Sequence, residues 1–165
     1  MPQEFNYQEA IRVAIETEKE LMDFYQHAAD ITLDPAAKKV FQTLAEDERE
    51  HARHFFSLYG GETLGTFEQF IAGPAKSHST MMHELEKQFT SDIKERRAME
   101  IAMREEQDLE KNLRLTASRI VDPMARKVFE GMALETRQHY EVIESEYARL
   151  MAMVHETDID TYVRE

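Results

Sequence analysis

Two stretches, DPAAKKVFQTLAEDEREH at Asp34–His51 and DPMARKVFEGMALETRQH at Asp122–His139, decide how this chain folds. They lie 88 residues apart, and nine of their 18 positions are identical. Each opens on Asp-Pro, a helix start: aspartate caps the first turn, and proline suits the first helical position because its missing N–H has no partner there anyway. In each, a histidine follows a phenylalanine by ten residues. The same shift lays Ala14 on Ala102, Glu18 on Glu106 and Ala29 on Ala117, so the repeat also takes in the segment before each Asp-Pro. Chance similarity between Glu-rich helices would not preserve both the start and the spacing. The chain is a helix pair used twice.

Working outward, Asn6 with Glu9 three residues later reads as a capping box opening a helix over 7–30. The Asp34-Pro35 helix spans 35–59 and stops at Gly60-Gly61. A crossover over 60–89 holds glycine, proline and serine, with short helical pieces expected at 67–71 and 81–89. Thr90-Ser91-Asp92 offers caps for a third long helix over 90–120, and Asp122-Pro123 opens a fourth over 123–154. Residues 156–165 are polar and expected to fray. The reading is an all-α four-helix bundle, residues 1–165 forming one domain of two related helix pairs joined by a long crossover.

Composition agrees and excludes much else. The 165 residues include no cysteine, which removes disulfides, iron–sulfur clusters, cysteine-ligated zinc and a cysteine nucleophile. Five glycines and four prolines are too few for a turn-rich β protein. Twenty basic against 33 acidic residues leave a formal charge of −13, which repels nucleic acid and anionic membrane surfaces but suits cations. No apolar run spans a bilayer, and the start MPQEF has no signal-peptide pattern, so a cytoplasmic location is expected.

The chemistry lies in the seams, the inward-facing positions spaced alternately by three and four. They read Ile11, Ala14, Glu18, Leu21, Tyr25, Ala28; then Phe41, Leu44, Glu48, His51, Phe55, Leu58; then Met99, Ala102, Glu106, Leu109, Leu113, Thr116; then Phe129, Met132, Thr136, His139, Ile143, Leu150. Each is apolar except near its middle. Burying an ionised carboxylate without a partner costs several kcal/mol or forces it to take up a proton, and carboxylates gathered in one layer oppose each other's ionisation. No lysine or arginine stands in the seams at that level. A bound cation resolves the conflict, because it attracts every carboxylate and accepts imidazole lone pairs. The candidate ligands are Glu18, Glu48, His51, Glu106 and His139, with Glu48 and His51 spaced to share one metal. His54 and Tyr25 are possible supports for the ligands. His27, His78, His83 and His155 carry no ligand spacing.

These residues resemble the ferritin-like superfamily and, within it, the rubrerythrin-like proteins. AIETEKELMDFY (14–25) is similar to the first helix of that pattern, LAEDEREH (44–51) to its Glu-x-x-His second, AMREEQDLEKNL (102–113) to its third and MALETRQH (132–139) to its fourth. The resemblance implies two irons per chain, Glu18 and Glu106 bridging or capping the metals, His51 and His139 as end ligands, and peroxide reduction or Fe(II) oxidation. It also suggests a homodimer. The absence of cysteine means that no rubredoxin-like domain lies within the chain, so the electrons must come from a separate donor protein. The chain departs from the family pattern at Thr136, where the fourth helix should carry glutamate, and at Leu109, where rubrerythrins place a further one. Glu135, next to Thr136, is the available substitute if that helix carries a π-bulge or the metal sits lower. Two alternatives stand beside the redox reading: a non-catalytic bundle holding zinc or a single iron, and a structural bundle whose site has decayed.

Overall fold

The computed structural model describes residues 5–61, 63–75, 79–86 and 91–163, with only the backbone for 91, 92 and 154–163. His78, His155 and Thr90 lie outside the described residues or side chains. Six helices follow in order among the described residues: α1 (Tyr7–Ile31), α2 (Pro35–Leu58), α3 (Phe67–Ile71), α4 (Thr80–Leu85), α5 (Ser91–Arg119) and α6 (Pro123–Val163). Helices α1 and α2 pack tightly as one antiparallel pair and α5 and α6 as the other, while the pairs meet more sparingly, α1 on α5 and α2 on α6. No helix among the described residues is long and apolar enough to cross a membrane.

The helix starts follow from the caps. Asp34 accepts from the Ala37 N–H at 2.9 Å and Asp122 from the Ala125 N–H at 3.0 Å, the same device in both halves of the repeat. Each such cap is worth about 1 kcal/mol. Asn6 accepts from the Glu9 N–H, but the Glu9 carboxylate turns to Arg12 instead of reaching back, so only half of the expected box forms. The complete box is at Thr66–Gln69, opening α3 in the crossover. The last helix is longer than its seam suggests: it continues to Val163, through the segment expected to fray. No glycine or proline lies between Gly131 and Val163 to stop it.

The core is a column of buried seam residues. Phe55 and Phe129 meet at 5.3 Å between ring centroids below the middle of the bundle, and Tyr25 stacks on Phe41 above it. The two helix pairs are pinned to each other at the α1–α2 turn. There the Glu95 carboxylate of α5 accepts from the Leu33 and Asp34 N–H groups, and Arg149 of α6 pairs with Asp34. Lys19 is buried too, but it faces the crossover, donating to Asp23 and to the Gly73 carbonyl at 3.0 Å. It leaves the middle of the bundle without a cationic side chain from the seams.

Candidate metal centre

The five residues expected to ligate a metal converge at mid-height. Glu18 on α1, Glu48 on α2 and Glu106 on α5 are 0 % exposed, and His51 and His139 are 7 % exposed. The imidazoles stack face to face with centroids 5.2 Å apart. Their Nδ1 atoms look inward. His51 Nδ1 stands 3.6 Å from both Glu18 Oε2 and Glu48 Oε2, while His139 Nδ1 stands 2.8 Å from Glu48 Oε1 and 3.6 Å from Glu106 Oε1. Glu48 thus spans two half-sites, one completed by Glu18 and His51, the other by Glu106 and His139. One donor atom each from Glu48, His51 and His139 lies within 4.8 Å of the others, close enough to surround a single ion.

These atoms are desolvated and poorly satisfied. Both oxygens of Glu18, both of Glu48, Oε2 of Glu106 and Nδ1 of each histidine are buried with no aligned hydrogen-bond partner. Buried polar atoms are nearly always paired, so seven orphans in one place demand an occupant. The charges tell the same story. Burial first, and then the charge of Glu48, raises the Glu18 carboxyl well above its ordinary range. Burial and Glu48 push Glu106 up to about 7. For Glu48 burial pulls upward too, but Glu18 and the flanking histidines outweigh it and hold that carboxyl well below its usual range. Burial disfavours the imidazolium forms, yet the surrounding carboxylates overcome it, pushing His51 up to about 11 and His139 to about 10. The cluster gathers protons where it could gather a metal cation. The donor set of three carboxylates and two imidazoles fits iron or zinc and offers no soft sulfur.

The outer edges of the histidines are held by the repeat as well. His51 Nε2 of α2 lies 2.6 Å from Glu135 of α6, and His139 Nε2 of α6 lies 3.3 Å from Asp47 of α2. Asp47 and Glu135 are themselves related by the 88-residue shift. Each helix pair therefore lends a half-exposed carboxylate to the other's histidine, holding the ring with Nδ1 toward the interior. Glu135, the substitute considered for the missing ligand, is about half exposed on α6 and contacts the outer edge of His51. Thr136 does face the centre, 1 % exposed, but its hydroxyl donates to the Met132 carbonyl at 2.8 Å. Leu109 is buried apolar surface.

Tyr25 supports a ligand, though not on its own helix: its hydroxyl donates to Glu106 Oε1 at 2.6 Å, from α1 across to α5. His54 is exposed and makes no contact with the centre, His27 pairs with Glu86, and His83 is exposed on α4. The Asp47–His139 brace went unread in the sequence. Its signal was the repeat itself, which pairs Asp47 with the Glu135 already under consideration.

The Rubrerythrin family model matches residues 2–59, which takes in α1, α2, Glu18, Glu48 and His51. The first helix pair, α1 and α2, is rubrerythrin-like. A solved structure of a hypothetical protein from Pyrococcus furiosus superposes with a TM-score of 0.69 at 19 % identity, covering 90 % of this chain and 92 % of that one. That likeness shows the all-α fold alone. No curated protein matches the sequence. A rubrerythrin-like first half carrying a buried Glu/His group points to a carboxylate-bound metal protein.

Proposed function

We propose that this protein is a non-haem diiron-carboxylate protein that reduces peroxide or oxidises Fe(II). The observation that carries the reading is the set of seven buried donor atoms on Glu18, Glu48, His51, Glu106 and His139 that have no aligned hydrogen-bond partner. Two ferrous ions held there would supply the electron pair that cleaves an O–O bond. Glu48, whose two oxygens face different histidines, would be shared by the two half-sites, with Glu18 and Glu106 completing one each. Asp47 and Glu135 would keep the imidazoles neutral at Nδ1 and oriented inward. Tyr25 would hold Glu106 in place through its hydroxyl, which burial and the charge of Glu106 keep protonated. With no cysteine in the chain, the electrons would arrive from a separate one-electron donor protein.

Thr136 favours a second reading. Its hydroxyl is committed to its own helix, so the α6 half-site has one carboxylate fewer than the family pattern. A non-catalytic centre holding zinc or one iron would need only Glu18, Glu48 and the histidines, and the affinity order of divalent metals favours zinc over Fe(II). Metal content after anaerobic Fe(II) loading separates the two. Close to two irons per chain, oxidised on adding peroxide, supports the redox reading. One metal or fewer, with no oxidation, supports the second. Full metal retention in Glu48→Ala/His51→Ala would overturn both.

A further inference from the structure

The face between α2 and α6 is open beside the centre. A groove of about 780 Å³ runs along it, walled by His51, His54 and Arg53 of α2 and by Met124, Val128 and Met132 of α6. A second hollow of about 420 Å³ continues it past the outer edges of His51 and His139, the two sharing Glu50, His51 and Glu135. Hydrogen peroxide needs no such space, a water's share of liquid volume being only about 30 Å³. Clefts of about 300–1,000 Å³ are the size used for organic ligands.

Three features describe what would fit. The α6 wall is largely apolar, and Met124 stands 77 % exposed at its rim. Gly131 lines the groove in the interior of α6, where glycine costs about 1 kcal/mol relative to alanine. A Cβ there would meet nothing within 4 Å, so no close helix contact requires the glycine, and the first half of the repeat has Thr43 in its place. The charges along the groove are paired with one exception. Glu135 pairs with His51, Glu50 with Arg49 and Arg53, and Arg53 also lies over the Phe67 ring. Lys127, which lines the groove, has no ion-pair partner among the described residues, in a chain of net charge −13. From Lys127 to Glu135, at the edge of the centre, is two turns of helix, about 12 Å.

We propose that this groove binds a carboxylate-ended amphiphile, its anionic end on Lys127 and its apolar body along Met124, Val128 and Met132, and that the peroxide reduced at the centre is the hydroperoxide of such a molecule. The binding clause stands by itself; the reduction clause rests on the redox reading above. In the reaction the O–O bond of the organic hydroperoxide breaks. Two electrons come from a ferrous pair that becomes ferric, two protons come from solvent, and the products are an alcohol and water. A one-electron donor restores the ferrous pair.

Binding is tested with decanoate on the zinc-loaded protein, which is redox-silent, by following methionine-methyl NMR signals and calorimetry. Saturable binding that moves the Met124 and Met132 signals is expected, weakened at least tenfold in Gly131→Leu, whose Cβ has open space and whose side chain extends into the groove, and several-fold in Lys127→Gln. Binding unaffected by both substitutions would overturn the groove. So would concentration-dependent self-association that perturbs the same signals without ligand, since the occupant would then be a second copy. The reduction clause is tested on iron-loaded protein with linoleate hydroperoxide and hydrogen peroxide. The ratio of their kcat/KM values should favour the organic substrate and fall at least tenfold in Gly131→Leu. An unchanged ratio would overturn the substrate class while leaving the redox reading in place. Decanoate binding with no turnover of either peroxide would overturn the redox reading and the hydroperoxide clause, and the binding site would stand.

Discussion

Removing the Glu135 carboxylate tests whether the outer braces matter to the centre. Glu135 lies 2.6 Å from His51 Nε2, and Asp47 lies 3.3 Å from His139 Nε2. Neither carboxylate touches the seven interior donor atoms, so any effect on metal must pass through the imidazole. Carboxylates that orient a ligating histidine contribute about 10- to 100-fold in metal affinity. Both are about half exposed, 53 % for Glu135 and 49 % for Asp47, so solvent screening places them at the lower end. Glu135→Ala should therefore weaken zinc binding about tenfold, or about 1.4 kcal/mol, and Asp47→Ala less, because its contact is longer. Glu135→Gln retains an acceptor oxygen and should recover most of the loss. The assay is competition with a chromophoric chelator at fixed pH, with far-UV circular dichroism showing that helix content is unchanged. Alanine favours helix at these exposed positions, so misfolding does not obscure the result. Wild-type affinity in both alanine variants would refute the bracing argument, as would equal losses in Glu135→Gln and Glu135→Ala.

Further outcomes follow from the same geometry. Thr136→Glu places a carboxylate at a buried position facing the centre, and should raise iron stoichiometry by up to one per chain; unchanged metal content would show that the α6 half-site is limited by something else. The metal-free protein should lose stability as pH rises. His51 and His139 hold protons up to about 11 and about 10 against an ordinary 6.5, and Glu106 up to about 7 against 4.5, so the folded state binds more protons than the unfolded across that span. Their stabilisation is complete below the unfolded values and drains as pH climbs through the folded ones, while the depressed Glu48 contributes above 4.5 and is lost in acid. Melting temperature without metal should thus fall from pH 5 to pH 9, and saturating zinc should abolish the fall; a rise over that interval would contradict the charge assignment. Gly131→Ala should stabilise the protein by about 1 kcal/mol, a gain of about 2–4 °C in Tm, and a loss would mean that the helix needs the glycine after all.

The parts of this molecule legible in the sequence are those that the repeat and the seam period encode. Asp-Pro marks two helix starts because its chemistry is local, and Glu18, Glu48, His51, Glu106 and His139 stand out because a polar residue in an apolar seam conflicts with its neighbours. What stayed hidden depends on where side chains reach, not on where they are attached. Glu9 satisfies a cap from sequence spacing alone, yet its carboxylate prefers the Arg12 guanidinium. Tyr25 shares a seam with Glu18 but bonds Glu106 on another helix, a choice fixed only by how the pairs dock. Lys19 and Glu95 are charged residues off the seams, buried because the crossover and the α1–α2 turn cover them.

The symmetry of the repeat bears on the carboxylate missing at position 136. Two helix pairs related by the same 88-residue shift meet face to face, so each donates what the other lacks: Asp47 braces His139, Glu135 braces His51, and Glu48 reaches both imidazoles. In a fully symmetric centre position 136 would add a second spanning carboxylate opposite Glu48. With Thr136 there, bonded to its own helix, like-charge repulsion in the metal-free core is lower by one buried anion, at several kcal/mol for an unpaired ion. Thr136 would thereby exchange metal-binding capacity for stability of the empty bundle. On that argument Thr136→Glu, besides its effect on iron, should lower the melting temperature of the metal-free protein above pH 7 and raise its dependence on added metal. If the variant melts as the parent does without metal at pH 8, buried charge is not what position 136 relieves.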